Sequence, residues 1–149
     1  MRAINHALTG AVIGLAWGNP WLAPPAALLS HFAVDAIPHH DFAQPEHGSR
    51  RYMLLLVGDG VACLGLVSIL AAWQPEHWLL ACVCAFLATS PDLMWTNVFL
   101  RARRGQRPRQ KNRLMRFHSR VQWFEKPIGA LMEMVWFADM CWLLYFVGR

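Results

Sequence analysis

The chain has 149 residues, of which 56% are hydrophobic and only 15% are charged. About a quarter of the residues of a soluble domain are charged, so this composition disfavours a soluble enzyme and favours a protein in lipid. The formal net charge of +5 leaves three partner classes open: nucleic acid, an anionic membrane surface, or an acidic substrate.

Two short apolar stretches, Ala3–Trp17 and Trp21–Ile37, begin the chain and are separated by an Asn-Pro turn signal. They predict a helical hairpin that crosses the membrane with little length to spare, or else a re-entrant pair. Gly10, Gly14 and Gly18 have the small-xxx-small spacing that lets one membrane helix pack closely against another.

Three longer apolar runs could each cross a bilayer core of about 30 Å. They are Tyr52–Trp73, Trp78–Leu100 and Pro127–Val147. The sequence therefore predicts an all-α fold: a polytopic membrane bundle of about five helices, of which the first two are short. Residues 1–149 are expected to form a single integral membrane domain, with a basic cytoplasmic loop at 101–126.

The placement of basic residues predicts the topology. If the N-terminus is cytoplasmic, the segments on the cytoplasmic side are 1–3, 38–51 and 101–126. They contain all but one of the 14 Lys and Arg residues, and only Arg149 is outside. The basic stretch Arg101–Arg120 then serves as a topology determinant that touches anionic lipid headgroups, or as a funnel for an anionic substrate. No recognisable nucleic-acid-binding fold surrounds this stretch, which disfavours nucleic acid as the partner. No feature of the sequence specifies an oligomeric state.

Ionisable residues within apolar spans are costly, and functional use is their default explanation. His31 and Asp35 have i, i+4 spacing, which places two potential metal ligands on one helical face. Asp92 follows a Ser-Pro pair that should kink the fourth helix and let the carboxylate face a cavity. With the predicted topology, these residues and several others reach a similar depth near the cytoplasmic side.

Imidazoles and carboxylates without thiolates favour zinc, with manganese or iron as alternatives, and one or two ions. The predicted metal ligands are His6, His31, Asp35, Asp59 and Asp92. The predicted acids, bases or further ligands are His39, His40 and His118. The predicted phosphate-binding or headgroup-binding residues are Arg101, Arg104, Arg113 and Arg116. The four cysteines, Cys63, Cys82, Cys84 and Cys141, lie in apolar runs and are predicted to be buried hydrophobic residues.

Short motifs add a family resemblance. The segments are Asn5-His6-Ala7-x-Thr9-Gly10, Ser30-His31-x-x-x-Asp35-Ala36-x-Pro38-His39, Ser90-Pro91-Asp92 and Phe117-His118-Ser119. They resemble the membrane-bound metal-dependent hydrolases, small bacterial inner-membrane proteins distantly like zinc-dependent phospholipase C and P1 nuclease. The resemblance implies a helical, metal-dependent phosphoester hydrolase in the bacterial inner membrane. It also implies that His31, Asp35 and Asp92 are ligands, with His6 and His118 as further candidates.

Three functions follow from these patterns. The first is a membrane-embedded hydrolase that acts on a phosphorylated lipid or lipid-linked phosphate at the cytoplasmic leaflet. The second is a small ion transporter, in which Asp59, Asp92, Glu133 and Asp139 would form a translocation path. The third is a non-catalytic membrane anchor whose basic loop binds a cytoplasmic protein.

Overall fold

The computed structural model describes residues 1–40, 49–106, 110–123 and 128–149. Within those ranges the chain consists of helices and short connections, with no strand, as the all-α prediction required. Pro127, the predicted start of the last span, and part of the predicted basic loop lie outside the described residues.

The helices follow one another along the chain with short connections. They are α1 (Ala3–Trp17), α2 (Ala23–Asp35), α3 (Arg50–Trp73), α4 (Trp78–Thr89), a 3₁₀ turn (Ser90–Trp95), α5 (Thr96–Arg103), α6 (Arg113–Val121) and α7 (Gly129–Val147). The 3₁₀ turn joins α4 to α5 without a break and begins at the Ser-Pro pair, where proline removes one backbone donor. The basic segment that the sequence presents as a loop therefore includes the helix α6.

Three helices are long and apolar enough to cross a membrane: Arg50–Trp73, Trp78–Arg101 and Gly129–Val147. They correspond to the three long runs predicted from the sequence. With 15 and 13 residues, α1 and α2 are about 22 and 20 Å long, which is shorter than a bilayer core. Large apolar side chains cover the outside of the long helices; Leu64 on α3 and Phe146 on α7 are both more than 60% exposed.

Helix α1 lies at the centre of the bundle and contacts α2, α3, α4 and α7. Its closest neighbour is α4, and two glycines make this approach feasible. A Cβ at Gly10 would collide with the carbonyl of Cys84, and one at Gly14 would lie 2.6 Å from the Cα of Ala81. The predicted small-residue contact is confirmed at these two positions. It brings the N-terminal end of α1 close to the 3₁₀ turn that follows α4.

Candidate metal centre

Four potential ligands from three parts of the chain converge at one end of the bundle. His31 and Asp35 come from the last turn and a half of α2, Asp92 from the 3₁₀ turn and His118 from α6. One ligand atom from each lies within 4.8 Å of every other. His31, Asp35 and His118 are buried, whereas the side chain of Asp92 is 36% exposed. We call these four residues the metal cluster; three are buried by packing, and the fourth is partly exposed.

The distances within the metal cluster fit one small cation. His31 Nε2 lies 3.3 Å from Asp35 Oδ2 and 3.7 Å from Asp92 Oδ1. His118 Nε2 lies 3.1 and 3.6 Å from the same two oxygens, and the two Nε2 atoms are 2.8 Å apart. Zinc ligands at their usual bond lengths are about 3.3 Å from one another in a tetrahedron. The metal cluster could therefore hold a metal ion without rearrangement of its helices.

A backbone carbonyl fixes the orientation of the His31 ring. His31 Nδ1 lies 2.8 Å from the carbonyl oxygen of Ala88, which can only accept a hydrogen bond. The Nδ1 atom therefore bears the proton, and the lone pair of Nε2 points at Asp35 and Asp92. Metal-binding histidines in proteins almost always have such a partner behind the ring, because it fixes the tautomer and the ring plane.

His118 has the opposite environment behind its ring. The indole N–H of Trp95 donates to His118 Nδ1 over 3.3 Å. A neutral His118 that accepts there has its proton on Nε2, the atom that faces Asp35 and His31. Binding of a metal through Nε2 therefore requires this proton either to leave the ring or to move to Nδ1, which would break the hydrogen bond from Trp95. The geometry suits a residue that exchanges a proton within the metal cluster.

Asp35 is the centre of the polar network. Besides the two cluster histidines, its oxygens lie 3.1 Å from His6 Nε2 and 2.7 Å from the amino nitrogen of Met1. Gln122 also donates to Oδ2 over 3.1 Å. His6 thus reaches the metal cluster through Asp35, and its ring stacks on that of His31 with centroids 4.1 Å apart. The buried Nδ1 of His6 has no hydrogen-bond partner among the described residues.

Asp59, also a predicted ligand, is not part of the metal cluster and instead contacts the start of α1. It accepts hydrogen bonds from the backbone N–H groups of Ala3 and Ile4, over 2.7 and 3.1 Å. These are free donors of the first turn of α1, where Arg2 provides no side-chain cap. Asp59 therefore caps α1 from the neighbouring helix α3.

The predicted acid–base residues His39 and His40 lie beside the start of α7. His39 is fully buried; its Nδ1 donates to Ile37 O over 2.8 Å, and its Nε2 has no partner among the described residues. The backbone N–H of His40 donates to Glu133 Oε1 over 3.1 Å. A Cβ at Gly129 would collide with the backbone of His39. These contacts fix the chain after α2 against α7, outside the four-residue metal cluster.

The predicted phosphate-binding arginines are on α6 and at or just after the end of α5. Arg101 and Arg104 at the end of α5 line a groove of about 240 Å³ together with Asn97, Leu100 and Gln106. Arg113 and Arg116 are exposed on α6, the helix that includes His118. In the chain these basic residues lie between Asp92 and His118.

Asp139, part of the predicted translocation path, is exposed near the middle of α7. Glu133 accepts from the backbone of His40 and lies 3.8 Å from Arg2 Nε. The cysteines are free thiols; Cys84 is buried and the other three are partly buried.

Sequence reasoning did not identify Trp95 and Gln122 as parts of the site. Gln122 follows His118 by four residues and so shares its helical face, a signal that was available in the basic segment. Trp95 has no comparable signal, because its partner is 23 residues away.

Searched against protein-family models, curated proteins and solved structures, the chain has no significant match.

Proposed function

We propose that this chain is a polytopic membrane protein that uses a divalent metal to hydrolyse phosphoester bonds of a phosphorylated lipid or lipid-linked substrate. The observation on which this rests is the metal cluster, with two imidazoles and two carboxylates within 4.8 Å of one another. Two negative charges balance a divalent ion, and buried imidazoles supply neutral ligands. A purely structural hydrogen-bond network would not need four ionisable groups at one point.

The membrane placement follows from the three long apolar helices and the basic residues at their ends. In this placement the N-terminus is cytoplasmic, and the membrane is the bacterial inner membrane. Arg50 and Arg51 begin α3, and the basic helices α5 and α6 follow Asp92. Asp92 is about 20 Å along the helix from Trp78, so the metal cluster lies within about 10 Å of the cytoplasmic face of the bilayer core.

The residues of the metal cluster have distinct proposed roles. His31, Asp35 and Asp92 hold the ion, and zinc suits their nitrogen and oxygen donors best, with manganese or iron as alternatives. A bound divalent ion polarises a phosphoryl oxygen and makes water a competent nucleophile at neutral pH. His118, whose Nε2 proton is directed toward the cluster by the hydrogen bond from Trp95, supplies a proton there, and once Nε2 has lost this proton it is the fourth ligand.

The proposed substrate is an anionic headgroup. Arg101 and Arg104 present guanidinium groups in the groove at the end of α5, and such forks match phosphate oxygens in geometry and charge. Arg113 and Arg116 add positive charge on α6. The partly exposed Asp92 is the side of the metal cluster from which a phosphate in the headgroup layer would reach the ion.

The first test is elemental analysis of protein purified without chelator. We expect about one equivalent of zinc, manganese or iron in the wild type and little in the His31→Ala/Asp35→Ala variant. Asp59→Asn is the matched control, since it also removes a membrane-embedded carboxylate but should retain the metal. A wild type that neither contains nor takes up metal would contradict the metal centre and favour the anchor or transporter.

The second test is phosphate release from a panel of phosphorylated lipids in nanodiscs, with each metal added in turn. Hydrolysis should be lost in the double variant and retained in Asp59→Asn. If metal-loaded, folded protein releases no phosphate from any lipid, the metal centre is not a phosphoesterase. An ion flux into liposomes under the same conditions would then support the transporter.

A further inference from the structure

When the nine residues of helix α6 and Gln122 after them are projected at 3.6 residues per turn, all but Ser119 fall into three sectors, and the apolar sector lies about 100° from each of the other two. One sector contains Met115, His118 and Gln122 and faces the metal cluster. The second contains the apolar residues Leu114, Phe117 and Val121. The third contains the basic residues Arg113, Arg116 and Arg120.

The apolar sector of α6 is largely exposed on the protein surface. Leu114 is 52% exposed and Phe117 is 50% exposed, although the Phe117 ring also contacts Phe32 with centroids 5.4 Å apart. Trp123, just beyond the helix, is 69% exposed. A helix that buries only Met115 and His118 gains little from packing, and nine residues are too few to be stably helical alone.

We propose that α6 lies in the surface of an anionic lipid leaflet and that this seating holds His118 at the metal cluster. The adjoining apolar and basic sectors match the acyl region and the anionic headgroups of one leaflet. Nucleic acid would pair with the basic sector but would leave Leu114 in water. The depth also agrees, since interfacial helices lie about 5–10 Å into the boundary of headgroups and acyl chains.

Direct contacts connect α6 to the metal cluster. His118 and Gln122 both contact Asp35, and Asn112 and Lys111 fix the start of the helix through bonds to Met115 N and Ser119 Oγ. Lipid that holds the apolar sector therefore also positions the sector that faces the metal cluster. This inference rests on the proposed metal site for its second half, whereas the lipid contact itself needs no metal.

The test compares variants in nanodiscs of the same composition, phosphatidylcholine with 30% phosphatidylglycerol, at fixed ionic strength. Leu114→Gln removes one apolar side chain from the apolar sector of α6. Leu79→Gln is its control, since Leu79 is 62% exposed and lies at the start of α4, the end of that helix away from the metal cluster. Hydrogen exchange of the α6 amides and zinc affinity are both measured. We expect Leu114→Gln to speed α6 exchange at least about fivefold and to weaken zinc binding about three- to tenfold, with Leu79→Gln unchanged.

Arg120→Glu tests the basic sector. The wild type should show slower α6 exchange with 30% phosphatidylglycerol than in pure phosphatidylcholine, and Arg120→Glu should lose this difference. Equal α6 exchange in both lipids and in Leu114→Gln would overturn the proposal, as would protection of α6 by an oligonucleotide but not by lipid. Lipid-dependent exchange with unchanged zinc affinity would overturn the link to His118. If no zinc binds at all, the metal centre fails, and the exchange data alone decide the lipid contact.

Discussion

Asp35 and Asp59 are both carboxylates in apolar helices, yet their partners give them different tasks. Asp35 lies among imidazoles, an amide and an amino group, whose donors can be displaced by a cation or can lose a proton. Asp59 lies between two backbone N–H groups, which can do neither. The cost of placing a carboxylate in an apolar helix is offset in both cases by hydrogen bonds. What distinguishes a candidate site from a structural contact is the chemistry of the partners.

The largest effect that follows from this difference is expected at Asp35. Asp35→Asn retains the shape of the side chain but removes the negative charge that both cluster histidines contact and that would bind a divalent ion. We expect zinc affinity to fall at least about 100-fold, since loss of a ligand should cost no less than loss of the groups that support one. Competition with a chromophoric chelator measures the affinity.

Asp59→Asn is the counterpart in that experiment, and its zinc affinity should stay within about twofold of the wild type. A fall as large as that of Asp35→Asn would erase the distinction between the two aspartates and make Asp59 part of the metal site.

Asp92 lies between these extremes, and the Asp92→Asn variant tests the exposed side of the metal cluster. Its carboxylate is more distant from the histidines than that of Asp35 and is partly exposed. The asparagine retains one neutral oxygen donor, so we expect zinc affinity to fall about 10-fold, equivalent to about 1.4 kcal/mol. An unchanged affinity would reduce the site to three ligands from α2 and α6.

The capping role of Asp59 predicts that removal of its carboxylate lowers the thermal stability of the protein. Asp59→Ala leaves the first N–H groups of α1 without an acceptor, and loss of a helix cap costs about 1 kcal/mol. We expect a lower thermal unfolding midpoint in detergent and the same metal content as the wild type. Asp139→Ala is the control, because Asp139 is exposed on α7. If Asp59→Ala unfolds like the control, the capping interpretation is wrong.

Local patterns made much of this fold predictable. The bounds of α1 agree with the predicted run, and the i, i+4 spacing of His31 and Asp35 placed both in one site, because each depends on neighbours within one helical turn. The partners of Asp59 could not be predicted, since they are backbone groups 55 and 56 residues away whose approach depends on how α1 and α3 pack. Helix α6 was predictable in principle from the spacing of Leu114 and Phe117, but the surrounding arginines favoured a loop interpretation.

Trp95→Phe should change zinc affinity less than Asp35→Asn or Asp92→Asn does, and the sign of the change tests whether the hydrogen-bond partner behind the His118 ring decides the role of His118. The indole N–H favours the His118 tautomer with the proton on Nε2, which competes with a metal for that atom. Without this hydrogen bond, Nδ1 can bear the proton, so zinc should bind more tightly, by about three- to tenfold for a bond worth about 1 kcal/mol. Trp136→Phe is the matched control, since it removes an indole N–H that donates to Thr9 Oγ1. Weaker zinc binding in Trp95→Phe alone would show instead that Trp95 supports ligation by His118, as the Ala88 carbonyl does for His31.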